Sequence, residues 1–153
     1  MNIPIATIAA AALSVPVAAA PVDRKGQTDI VAAVICAEAK GEYWAGMCAV
    51  AQVIRNRGLI AFDVVTKPKQ FSCLNHTTPA ALVQKEKQAI GWSDAHCLAR
   101  WLCGQSPKPS VFIHSVGDAT HYHRKCYPVD LPYWAVGEHP VAFVGHHIFY
   151  MIK

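Results

Sequence analysis

The stretch Ile30-Val31-Ala32-Ala33-Val34-Ile35-Cys36-Ala37-Glu38-Ala39-Lys40-Gly41-Glu42 decides the reading of this chain. Ile30 or Val31, then Val34 and Ile35, recur at helical spacing, and Gly41 after Lys40 is a natural helix stop. Thr28 and Asp29, just ahead, are both helix-cap types. Glu38 stands three residues after Ile35 and four after Val34, so its carboxylate falls on the apolar stripe. An ionised carboxylate is costly to bury without a partner. Desolvation favours the neutral form, which is the form a general acid needs. The plain alternative is a structural Glu paired with Arg55, Arg57 or a backbone amide, and the pattern alone favours it. Glu42, one turn further on, reads as a second carboxylate or as a solvated residue at the helix end. Of these, the solvated reading is the better supported.

Outward from this segment, a second helix is expected from about Tyr43 to Arg57, with Met47, Val50, Ala51 and Ile54 on one face. Arg55 and Arg57 suit its last turn and Gly58 its end. Residues 59–78 read as irregular. Thr78-Pro79 is a cap followed by proline at the first helical position, opening a helix to Gly91. Ser93 can cap another that runs to Cys103 and stops at Gly104. Beyond Pro107 and Pro109 the pattern shifts to short strands at Val111–His114, Ala119–His123, Val141–Val144 and His147–Ile152. The fold class is α+β, helices first with a small C-terminal β region.

The chain has 153 residues, enough for one domain with a real core. At 53% hydrophobic and 16% charged it is neither disordered nor coiled-coil. A net charge of +4 suits an anionic partner but is far from that of a dedicated nucleic-acid binder, so no nucleic acid is expected. Neither glycine-rich phosphate loop occurs, which argues against nucleotide chemistry. Residues 1–20 are uncharged and Ala-rich, with Pro16 before Val17-Ala18-Ala19-Ala20. They read as a signal peptide, cut after Ala19, or as a weak membrane anchor that would allow transient membrane contact. No Lys or Arg precedes the apolar run, as a signal peptide would usually have. Residues 21–29 read as a linker. Export to the periplasm, cell wall or outside would place the six Cys where disulfides persist. A Cys36–Cys48 bond would brace the first helix. Oligomeric state has no signature here.

Five blocks then resemble one family in the right order. Ala37-Glu38-Ala39-Lys40-Gly41-Glu42 with Gly46-Met47-Cys48-Ala49-Val50-Ala51-Gln52-Val53-Ile54-Arg55-Asn56-Arg57 is similar to the opening of the SleB-type cell-wall hydrolases. Gln70-Phe71-Ser72-Cys73, Ala119-Thr120-His121-Tyr122-His123, Pro132-Tyr133-Trp134-Ala135 and Gly145-His146-His147-Ile148-Phe149-Tyr150 resemble its later blocks. Departures are Lys40 for the usual Arg, Leu74 where many members have Trp, and the segment Phe112 to Asp118. The resemblance implies residues 30–153 as a catalytic domain with a lysozyme- or lytic-transglycosylase-like fold. It implies peptidoglycan as partner and cleavage between N-acetylmuramic acid and N-acetylglucosamine. Glu38 stands at the family's catalytic acid, and no cofactor or metal is implied.

Glycoside cleavage commonly uses two carboxylates. Only Glu38 of the acids sits in an apolar setting by sequence, so a single-acid mechanism is favoured. In it the muramic C6 hydroxyl attacks within the substrate, as in lytic transglycosylation. Hydrolysis with Glu42, Asp118 or another second acid stays open. Glu42, Gln70, Phe71, Thr120, His121 and Tyr122 are the substrate-binding candidates, with Thr120 and Tyr122 facing one side of a strand and His121 and His123 the other. Three rivals come from other classes. A zinc amidase would use His121 and His123 with His139 or His146, although HExxH is absent. A Cys-His peptidase would use a thiolate. A non-catalytic peptidoglycan-binding module would bind cell walls without releasing fragments.

Overall fold

The computed structural model describes residues 23–125 and 131–152. The expected leader, residues 1–20, lies outside the described residues. The first helix, α1, runs Arg24–Glu38, and Asp23 caps it by accepting the Gly26 N–H at 3.0 Å. Residues 24–29 of the expected linker are therefore helical. Thr28, expected as a cap, is buried inside α1. Its hydroxyl donates to the Arg24 carbonyl at 2.8 Å and accepts from Gln105 at 2.6 Å. Asp29 is committed to Lys87 at 3.0 Å and His96 at 3.2 Å.

Val31, Ala32, Ala33, Val34 and Ile35 are each 0% exposed, so the stripe read from sequence is in fact the whole circumference of α1. The cause is its central position: α1 packs against four further helices. These are α2 (Tyr43–Arg57), α3 (Ala61–Thr66), α4 (Pro79–Glu86) and α5 (Trp92–Leu102). Each fully buried Val or Ile contributes about 1.5–3 kcal/mol relative to exposure. α2 has the bounds its spacing predicts. α3 falls in the stretch expected to be irregular; Ala61 and Val65, four apart, are its buried pair. Six residues are too few for a period to show.

α4 starts as expected, with Thr78 Oγ1 accepting the Ala81 N–H at 3.2 Å. It ends at Glu86 rather than Gly91, because residues 87–91 turn, with Ala89 N–H bonded to the Glu86 carbonyl at 2.9 Å. α5 ends as expected, and Gly104 follows at φ +70°. No strand forms over Val111–His114. That segment follows Pro107 and Pro109 as a loop, its Val111 carbonyl taken by the Trp44 indole at 3.0 Å. Phe112 packs edge-on to Trp101 at 4.9 Å.

Among the described residues, three antiparallel strands complete the fold: β1 (His121–Arg124), β2 (Pro140–Val144) and β3 (His147–Tyr150), in the order β1-β3-β2. Tyr122 pairs with Phe149, and Arg124 with His147. Buried Phe149 packs with Val116 and Ala119 on Ala49 and Val53 of α2. This contact holds the sheet over the helices.

Cys36, Cys48, Cys73, Cys97 and Cys103 carry free thiols, so the Cys36–Cys48 brace is not formed. The two thiols meet different neighbours. Cys36 lies against Glu86 of α4, and Cys48 against the Ile113 backbone. Among the described residues, no helix is long and apolar enough to cross a membrane.

Candidate active site

Glu38 is the last residue of α1, so a buried helix delivers its carboxylate to the surface of the core. Oε1 accepts from Ser72 Oγ at 3.2 Å and from the Cys73 N–H at 3.0 Å. Oε2 accepts from the Tyr122 hydroxyl at 2.9 Å. The backbone-amide partner expected on the structural reading is present. Arg57 takes a different role: its Nε donates to the Thr120 carbonyl at 2.5 Å and its guanidinium to the Gln70 carbonyl at 3.0 Å. The same guanidinium lies 4.9 Å over the Phe71 ring. Arg57 thus ties the Gln70–Cys73 loop and the entry of β1 to the end of α2, and so aligns two of the segments that grip Glu38.

Burial pushes the Tyr122 phenol well above its usual range, and the Glu38 charge beside it adds to that. Burial lowers the Arg57 pKa from its ordinary value, while the nearby Tyr122 and Glu38 oppose the change.

Glu38 opens onto a cleft of about 820 Å³. Lys40, Arg57, Lys69, Lys85 and Arg124 line it, against Glu38 and Glu86 as its acids. Such a wall favours an anionic ligand. Trp134 and Tyr122 supply ring surface.

Of the candidate ligand contacts, Gln70 and Tyr122 line this cleft. Phe71 is 3% exposed, packed in the core beneath Arg57. The Thr120 hydroxyl ties the C-terminal segment, bonding the Ile152 carbonyl at 3.1 Å and its N–H at 3.2 Å. Thr120 precedes β1, so the strand alternation expected with Tyr122 does not govern it. His121 packs on Trp134 with ring centroids 5.1 Å apart, and burial lowers its pKa.

Glu42 differs most from its solvated expectation. Its side chain is 5% exposed. Both oxygens accept the His146 N–H at 3.1 Å, and Oε1 lies 2.8 Å from His146 Nδ1. Burial alone would raise the Glu42 pKa, but the His146 bonds outweigh it and hold the group below the ordinary carboxylate value. The sequence reading carried the helical period past its end. α1 stops at Glu38, the chain reverses through Gly41 at φ +82°, and Glu42 points to the β2–β3 turn. At that turn Gly145 has φ +55°, and a Cβ there would lie 1.4 Å from Glu42 Oε2. The turn in turn places His147 in the cleft wall, edge-on to Tyr122 at 5.3 Å.

The expectation that Glu38 alone among the acids has an apolar setting does not hold, because Glu86 is 3% exposed and lines the cleft. The rule that selects Glu38 selects it too: Glu86 is four residues after buried Leu82 and three after Val83. Ser72 and the Cys73 amide had no signal beyond their block. For the zinc reading, His146 is committed to Glu42, and His123 stacks on Tyr150 at 5.5 Å. Among the described residues no three His, Cys, Asp or Glu form a group that could hold a metal ion.

Residues 41–150 match the Cell Wall Hydrolase family model. The fold is similar to that of the catalytic domain of the Bacillus cereus SleB protein. That match has a TM-score of 0.54 and 20% identity, covering 82% of this chain and 90% of that one. No curated protein matches the chain. With the family model spanning most of the chain, and with the helix-borne carboxylate and basic cleft in place, the chain belongs to the SleB-type cell-wall hydrolases.

Proposed function

We propose that the chain cuts the glycan strands of peptidoglycan between N-acetylmuramic acid and N-acetylglucosamine, by lytic transglycosylation, with Glu38 as the catalytic acid. The observation that carries this reading is the set of partners on Glu38. Two of them are hydroxyls, Ser72 and Tyr122, which can donate to a carboxylate or accept from the neutral acid. They suit a group that gives up a proton and takes it back. Neutral Glu38 protonates the glycosidic oxygen as the C1–O bond breaks. The muramic C6 hydroxyl bonds to C1 and returns its proton to the Glu38 carboxylate, leaving a 1,6-anhydro end. Intramolecular attack has a large effective concentration and needs no second protein carboxylate. The cationic wall suits the carboxylates that peptidoglycan carries. Export through residues 1–20 goes with this reading.

One observation favours a second reading, hydrolysis with two acids: the Glu86 carboxylate lines the same cleft. The test is mass spectrometry of fragments released from purified peptidoglycan by wild type and Glu38→Gln. Anhydro-muramic ends that vanish in the variant are expected. Reducing muramic ends that vanish would make Glu38 the acid of a hydrolase. Free stem peptides, or release that survives the substitution, would overturn the assignment.

A further inference from the structure

Lys40, Lys85 and Glu86 also line a second cavity of about 670 Å³, which extends between the start of α2 and the turn joining α4 to α5. Its wall includes the small residues Ala39, Gly41, Ala89 and Gly91. At its rim stand two exposed apolar side chains, Ile90 and Tyr43, the latter 84% exposed and held at φ +53°. A non-glycine residue in that conformation is uncommon, and here it belongs to a side chain that packs on almost nothing.

We propose that this groove receives the peptide stem of the muramic acid residue bound in the cleft, an assignment that rests on the glycan-cleavage reading. The stem branches from the lactyl group of muramic acid, so it must leave the glycan path sideways, and this cavity shares Lys40, Lys85 and Glu86 with the cleft wall. Stem peptides carry free carboxylates separated by small apolar residues. Lys40 and Lys85, on the wall shared with the cleft, can meet the carboxylates, with Glu86 and Asp94 as the acids of the same lining and Lys85 4.0 Å from Glu86, and the alanine and glycine wall leaves room for methyl groups. A sugar ring would want an aromatic face at the floor. Of the aromatics here, Tyr43 stands at the rim and the Trp44 indole is tied to the Val111 carbonyl.

The test compares glycan strands bearing their stems with the same strands after amidase removal of the stems. Ile90→Glu places an opposing charge at the rim without touching the core, and Ala89→Trp fills the groove. Both are checked for an unchanged circular dichroism spectrum. The expected result is an increase of about tenfold in KM on stem-bearing strands for each variant, with kcat/KM on bare strands unchanged. Equal losses on both substrates would mean that the groove holds sugar or only shapes the cleft, and would overturn the proposal. Wild-type kinetics on both substrates in the variants would overturn it as well. A wild type that cuts neither substrate would instead bring down the glycan-cleavage reading, and the stem assignment with it.

Discussion

Tyr122 donates its hydroxyl proton to Glu38 Oε2 across 2.9 Å, linking a strand and a helix end that lie 84 positions apart. The phenol stays protonated through ordinary assay conditions, because burial and the Glu38 charge push its pKa well up. Its ring is held independently by Phe149 at 5.4 Å and His147 at 5.3 Å, so removing the oxygen leaves the packing intact. A hydrogen bond to a charged group is worth about 1.5–3 kcal/mol, or roughly ten- to a hundredfold in rate if spent in the transition state. Tyr122→Phe is expected to lower kcat on peptidoglycan by that factor, with the thermal midpoint falling by only a few degrees. An unchanged kcat would mean that the hydroxyl does not serve Glu38 in the proposed reaction.

Arg57 should act through position rather than contact. It bonds the Thr120 and Gln70 carbonyls at once, a bridge that needs the guanidinium fork. Arg57→Lys keeps the charge but reaches one carbonyl at a time. We expect a loss of about 1–3 kcal/mol in urea unfolding and a fall in kcat with little change in KM. Full stability in Arg57→Lys would show that the bridge is dispensable.

The Glu42–His146 clamp predicts a pH signature. The folded pKa of Glu42 lies below its ordinary value of 4.5. Its contribution to stability is therefore present above about pH 4.5 and is lost as pH falls through the folded value. Glu42→Gln should be less stable than wild type at pH 7 by about 1–3 kcal/mol, and the gap should narrow toward pH 3. Urea midpoints across this range decide it; a constant gap would exclude the ionised clamp. Gly145→Ala should destabilise at every pH, since its Cβ would meet the same carboxylate.

These contacts mark where sequence reading succeeds and where it stops. The burial of Val31, Val34 and Ile35 in α1, the bounds of α2 and the Thr78-Pro79 start of α4 follow from local spacing and cap chemistry, and they hold. Glu38 is legible because a carboxylate on an apolar face is a local anomaly. Glu86 obeys the same rule and is equally legible. Glu42 is not, because its environment depends on where α1 ends and on a turn about a hundred residues later. The 111–114 strand fails for a related reason: β-branched and aromatic residues favour a strand only when a partner edge is available, and here Trp44 takes the backbone. The grip of Ser72, Cys73 and Tyr122 on Glu38 is long-range throughout, and only the order of the family blocks pointed to it.

Glu86→Gln separates the two proposed glycan-cleaving mechanisms. If the C6 hydroxyl is the nucleophile, Glu86→Gln should keep the anhydro product, with the rate reduced by less than about tenfold. If Glu86 activates water, the reducing-end product should collapse by about a hundredfold or more, as general-base removal does. Product ratios by liquid chromatography and mass spectrometry distinguish these, and the first outcome is expected.

The thiols predict a loss of stability at alkaline pH. Burial pushes Cys36 from an ordinary 9.0 up to about 11, with the Glu86 charge and hydrogen bond adding to it. Cys48, Cys73 and Cys103 are raised as well, burial being the largest cause in each. For a raised pKa the unfolded thiol ionises first. The stabilising contribution is complete below pH 9 and is lost as pH climbs toward the folded value. In reducing buffer the urea midpoint should therefore fall between pH 8 and pH 10.5. Cys36→Ala should begin lower at pH 8, through lost packing, and then fall less steeply. Parallel slopes in the two proteins would show that Cys36 is not one of the groups responsible.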